Sequence, residues 1–196
     1  MKTISQLKSM ALDQLKGNWY KVVVAALVYL AVTALTGTAG IFSFHIITFL
    51  IVGPLTYGFA EYFMKIKRKE PAALENLFDG FKRFIPSFLV CLLVGIFTLL
   101  WALLLIVPGI IASISYSQSY YILVDDPNIS AMDAIKKSKE MMQGYKGQYF
   151  WLILSFIGWA ILATLTGGIG YLWLVPYYKT TMVNFYDELK AIKATA

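Results

Sequence analysis

The sequence predicts an all-α integral membrane protein: six transmembrane helices arranged as three hairpins, each preceded by an amphipathic helix on the cytoplasmic surface. Three observations carry that prediction. The 196 residues are 59% hydrophobic and only 14% charged, against about one-quarter charged in an ordinary soluble domain. The charge is absent from three long stretches, 22–60, 84–124 and 147–186, broken only by Lys179. Each stretch is long enough for two helices of about twenty residues, and each has turn chemistry near its middle: Thr36 to Gly40, Val107-Pro108-Gly109, and Thr166 to Gly170.

The elements follow in chain order. Ile4, Leu7, Ala11, Leu12 and Leu15 recur at helical spacing opposite Ser5, Gln6, Lys8, Ser9 and Asp13, and Thr3 with Gln6 has the form of a capping box. A second apolar stripe joins Leu74, Leu77, Phe78, Phe81 and Phe84. A third joins Ala131, Ile135, Ser138 and Met142, with Asp133 and Lys137 as a supporting pair. All three are expected to lie along the membrane surface. Lys16-Gly17-Asn18-Trp19-Tyr20 resembles Lys146-Gly147-Gln148-Tyr149-Phe150, with Phe81 to Phe84 a looser copy. One membrane domain, 1–196, built of three repeats of approximately 1–64, 65–124 and 125–196, follows.

Every hairpin returns the chain to the side it left, so the termini and both long connections share one side. All basic residues except Lys179 fall there, and the turns carry none; the positive-inside rule makes that side cytoplasmic. Hairpins that enter one leaflet as wedges would leave the same asymmetry, but run length favours full crossing of about 30 Å of hydrocarbon. The first residues lack a signal-peptide cleavage site. Cys91 is the only cysteine, which excludes an intramolecular disulfide.

Lys179 is the first functional candidate, the one charge inside an expected span, roughly 12 Å from Asp187 along the last helix. It could equally snorkel to the interface or pair with Glu61, itself four residues from Lys65. The fourth helix is the most polar, with Ser115, Tyr116, Gln118 and Ser119; together with Lys179, Glu61 and Asn184 these are candidates to line an inward-facing crevice. Gly109, Ser113 and Ser117 recur every fourth residue, the pattern of a close packing seam. Lys16, Lys82, Arg83, Lys136, Lys137, Lys139 and Lys146 could contact anionic lipid headgroups, although topology alone explains them. His45 has no carboxylate or thiolate company for a metal. Gly53-Pro54 and Val175-Pro176 are expected bends, and Asp125-Asp126-Pro127 an expected helix stop.

No zinc-protease, nucleophile-elbow or phosphate-loop motif is present, so the reading is non-enzymatic, with no cofactor, no catalytic or metal site and no nucleic-acid partner. The expected role is transport or accommodation of a small molecule or lipid through the crevice. The alternative is an interaction or regulatory protein that binds lipid headgroups or a partner protein through its basic helices.

The run Trp101 to Ile111, then Ser115-Tyr-Ser117, Tyr121 to Pro127, Ser130-Ala131, Ala134-Ile135, Ser138, Leu154 to Trp159, Gly168-Ile-Gly170 and Pro176-Tyr177 together resemble the bacterial membrane family called domain of unknown function 975. The likeness covers nearly the whole chain and is strongest from Trp101 to Tyr186. It implies a multi-pass protein of the bacterial cytoplasmic membrane and supplies no catalytic residue, substrate or cofactor.

Overall fold

The structure, a computed structural model, describes residues 1–37 and 42–194, and side chains other than those of 33–49. Most of the first predicted turn and the side chain of His45 lie outside that description. The described residues are helical throughout, without strands: α1 Ile4–Leu15, α2 Trp19–Gly37, α3 Phe42–Arg68, a 3-10 turn Leu74–Phe78, α4 Asp79–Lys82, α5 Phe84–Leu104, α6 Ile106–Tyr116, α7 Ser119–Asp125, α8 Ala131–Met141, α9 Lys146–Leu154, α10 Ile157–Leu165 and α11 Tyr171–Ala194.

The expected six spans reduce to a coarser result. Two helical stretches, Phe84–Leu104 and Lys146–Leu165, are long and apolar enough to cross a membrane, or three if α1 with the start of α2, bent by 102°, counts as one. The apolar surface agrees with a lipid environment. Leu103 to Val107 are 64–77% exposed, and Trp159, Leu165 and Ile169 are also exposed, a patch that water would penalise. The packed core lies at the other end, where Leu7, Leu15, Phe59, Phe63, Leu77, Met142, Phe185 and Leu189 are fully or almost fully buried.

α1 begins with the expected capping box. Thr3 Oγ1 accepts from the Gln6 amide at 3.3 Å, and Gln6 Oε1 accepts from the Thr3 amide at 2.9 Å. Its apolar face, Leu7, Ala11 and Leu15, is buried against the protein, mostly on α11. Gly17, at φ +81°, turns the chain into α2. The equivalent left-handed glycine after α8 is Gly144, at φ +83°, while Gly147, its expected counterpart, lies within α9.

The second predicted surface helix does not form as one helix. Local side-chain bonds divert it: Asn76 Oδ1 accepts from the Ala73 amide at 2.9 Å, and Asn76 Nδ2 donates to Asp79 at 2.6 Å. The segment instead lies backbone to backbone on α3. A Cβ at Gly58 would land on the Leu77 carbonyl, and one at Gly80 on the Pro54 carbonyl, so only glycine permits the contact.

Two hairpin turns are described. The first reverses at Leu105, which is extended, so Pro108 falls in the opening turn of α6, where a missing N–H leaves no intrahelical bond unmade. Gly109 lies on Ala102, whose Cα would sit 2.8 Å from an added Cβ. The second reverses at Gly167 and Gly168, within the expected turn and both with positive φ, and Gly170 lies on Ala163 in the same way. Of the expected packing seam only Gly109 serves: Ser113 is exposed, and Ser117 bonds the Ile114 carbonyl at 2.8 Å.

The fourth and fifth expected helices are each broken, at 117–118 and at 155–156. Neither break contains Gly or Pro, and each is filled by a side chain from an amphipathic helix, α8 or α1. Ser138 of α8, fully buried, donates to the Ser115 carbonyl at 2.8 Å and accepts from the Gln118 amide at 3.1 Å. Lys8 of α1 donates to the Ser155 carbonyl at 3.1 Å and lies 4.3 Å from the Phe156 ring centroid. Backbone groups freed by a helix break thus find partners within the fold.

Candidate functional site

Lys179 stands on α11, with Phe59 of α3 stacked on Tyr29 of α2 beside it. Its Nζ is 5.6 Å from the Phe59 ring centroid, and the Phe59 and Tyr29 centroids are 4.2 Å apart. The expected alternative pairing with Glu61 is not made; Glu61 bonds Lys65 at 2.7 Å. Among the described residues Lys179 has no carboxylate partner, and its ammonium lies over the Phe59 π face. It borders a groove of about 350 Å³ between α2, α9, α10 and α11, whose other walls are Tyr29, Ile153, Phe156, Ile157, Ala160, Tyr171, Leu174, Val175 and Tyr178.

The remaining crevice candidates do not converge on this groove. Ser115 Oγ donates to the Ile111 carbonyl of its own helix at 2.6 Å, and Ser119 Oγ donates across the α6–α7 break to the Tyr116 carbonyl at 2.8 Å, so both hydroxyls are spent on nearby backbone. Gln118 is buried at the break and donates to Ser117 Oγ at 2.7 Å. Asn184 donates to the Leu7 carbonyl at 3.3 Å and fastens α1 to α11. Tyr116 faces Phe97 and, with Ser115, borders a different groove. Glu61 lies in a charged cleft of about 460 Å³ with Tyr57, Lys65, Asp79, Lys82 and Arg83.

The basic end is an ion-paired layer. Asp125 accepts from Arg68 at 2.7 Å, Lys190 at 2.6 Å and Tyr186 at 2.7 Å, while Asp187 pairs with Lys67 and lies 3.6 Å from Arg68. Lys2 pairs with Glu188. Burial opposes ionisation of Asp125, but the bonds from Lys190, Tyr186 and Arg68 outweigh it and hold its carboxyl below the usual carboxylate range. Asp79 shows the same balance, with Lys82, Asn76 and Lys65 overcoming burial.

These pairs sort the candidate headgroup residues. Lys16 pairs with Asp13 at 2.6 Å, Lys82 with Asp79 at 2.7 Å, and Lys136 with Asp133 at 3.7 Å in place of the expected Lys137. Arg83 donates to the Pro127 carbonyl. Lys137, Lys139 and Lys146 have no ion pair among the described residues.

Sequence reasoning missed Ser138 and Lys8 as the side chains that fill the helix breaks. The serine-rich stretch around 117 was the visible trace of the first break; nothing comparable marks the second.

Fold and site together describe an all-helical protein with membrane-compatible helices, an exposed apolar surface and an ion-paired basic end. The profile of the family described as protein of unknown function (DUF975) matches residues 1–115 and 103–193, and the chain belongs to that family. No curated protein and no solved structure matches the chain.

Proposed function

We propose that the protein is a non-enzymatic membrane protein that accommodates an anionic amphiphile, a single acyl chain ending in a carboxylate or phosphate, in the groove beside Lys179. The observation that carries this reading is an ammonium with no carboxylate partner among the described residues at the edge of an apolar groove of about 350 Å³. Such a charge in a membrane helix is costly when unpaired, and a bound anion supplies the missing partner while its tail fills the apolar walls.

The finer topology belongs to the same proposal. Three hairpins enter from the basic side, and the termini lie there, in the bacterial cytoplasm. Support comes from the repeated order of amphipathic helix, left-handed glycine and membrane helix at Gly17 and Gly144, and from the equal sequence spacing of the Ala102–Gly109 and Ala163–Gly170 contacts.

Thermal unfolding in detergent with added dodecanoate or dodecanol tests the ligand class. Dodecanoate raises the melting temperature and dodecanol does not, and Lys179→Met abolishes the difference. Equal shifts with both compounds would mean that the groove takes any chain and that Lys179 reads nothing.

A further inference from the structure

A second groove, of about 190 Å³, is lined by residues distinct from those of the Lys179 groove. Its apolar walls are Trp101 and Pro108, on either side of the α5–α6 reversal, with Ile111 and Ala112 one turn further along α6. Its polar end is formed by Lys139 of α8 and Lys146 at the start of α9.

Three observations fix the chemistry of an occupant. First, neither lysine is ion-paired among the described residues, whereas Lys16, Lys82 and Lys136 all have acidic partners. Glu140, the acidic residue next to Lys139, is exposed and bonded to neither lysine. Second, the walls are open to the surroundings: Trp101 is 47% and Ile111 46% exposed, in the same surface as the apolar turn Leu103 to Val107. Third, Lys146 opens α9 at the basic end of the fold, where Gln148 donates to the Lys2 carbonyl at 2.8 Å and Lys2 pairs with Glu188. The cationic end therefore lies toward the basic end of the fold, and the apolar walls run from it to the exposed α5–α6 turn.

We infer that this groove is a binding site for one anionic phospholipid of the leaflet that meets the basic face, its phosphate held between the Lys139 and Lys146 ammonium groups and an acyl chain laid along Trp101, Pro108 and Ile111. Ser138 fixes this geometry, because it docks α8 on the α6–α7 break immediately beside Lys139. The site shares no residue with the Lys179 groove, so either can fail without the other.

Native mass spectrometry of the full chain, titrated in detergent with phosphatidylglycerol or phosphatidylcholine, tests the site. The wild-type protein retains one phosphatidylglycerol in preference to phosphatidylcholine. The Lys139→Gln/Lys146→Gln protein loses that preference by about thirtyfold, the effect of two well-placed basic side chains. The Lys136→Gln/Lys137→Gln protein removes the same charge from the exposed face of α8 and keeps it. Equal losses in the two double variants would replace the site with a diffuse charge effect, and no loss in either would overturn it. Should the first double variant fail to fold, Ile111→Trp obstructs the apolar wall with both lysines present and is expected to lower phosphatidylglycerol retention; unchanged retention would overturn the site. Displacement of the wild-type lipid by millimolar inorganic phosphate would also overturn it, since the occupant would then be the free anion.

Discussion

Replacing Ser138 with alanine removes one hydroxyl and orphans two backbone groups, the Ser115 carbonyl and the Gln118 amide, at the break between α6 and α7. Ser138 and Gln118 are completely buried and Ser115 nearly so, so water does not replace the lost bonds readily. An unsatisfied buried polar group costs about 1–3 kcal/mol; two such groups partly relaxed by local adjustment give about 2–4 kcal/mol for Ser138→Ala. For a chain of this size that lowers the melting temperature by roughly 4–15 °C, at about 2–4 °C per kcal/mol. The assay is thermal unfolding in detergent or nanodiscs followed by tryptophan fluorescence, with hydrogen exchange at the Gln118 amide as a local readout. Ser113→Ala, an exposed serine on α6, is the control and stays within about 0.5 kcal/mol of wild type. If Ser138→Ala melts with Ser113→Ala and Gln118 exchange is unchanged, the break does not depend on the hydroxyl and the reasoning is wrong.

Other outcomes follow from the same geometry. Gly58→Ala puts a methyl onto the Leu77 carbonyl and costs about 3 kcal/mol or more; the check is yield and melting temperature, with Gly95→Ala, which meets nothing within 4 Å, as the benign comparison. Asp125 and Asp79 have depressed carboxyl pKa values, so their stabilisation is complete above the unfolded value of about 4 and is lost as pH falls through the folded values. Stability should decline below about pH 4, and Asp125→Asn should show lower stability at pH 7 with a shallower acid decline; a parallel curve would remove Asp125 from the account. Lys179→Met is expected to raise ligand-free stability, by up to about 2 kcal/mol, because it deletes a charge with no carboxylate partner among the described residues. A fall in melting temperature would show that the lysine holds the fold together.

Composition and charge runs made the helical class and the basic end legible, because both follow from what lipid and water each exclude. The cap at Thr3, the left-handed turn at Gly167 and the stop at Asp125 were equally visible, since each depends on residues adjacent in sequence. What escaped depended on partners far along the chain. The Leu74 to Phe84 stripe reads as a helix until Gly58 and Gly80 let it lie on the α3 backbone. The breaks at 117 and 155 contain neither Gly nor Pro, and beyond the serine-rich stretch around 117 nothing local announces them; their freed groups are satisfied by Ser138 and Lys8. The candidate polar residues do not share one groove, since Ser115 bonds the Ile111 carbonyl of its own helix and Ser119 bonds the Tyr116 carbonyl across the α6–α7 break. Lys179 lies on α11, which is not among the stretches apolar enough to cross a membrane, and its neighbours are the Phe59 ring and an apolar groove instead of Glu61.

The most direct test of the central claim is photo-crosslinking of the purified protein in nanodiscs with a diazirine-bearing fatty acid, followed by peptide mapping. Labelling concentrated on the groove walls around Tyr29, Ile157 and Val175, competed by dodecanoate and lost in Lys179→Met, is the predicted result. Labelling spread evenly over the exposed apolar turns and unchanged in Lys179→Met would contradict it.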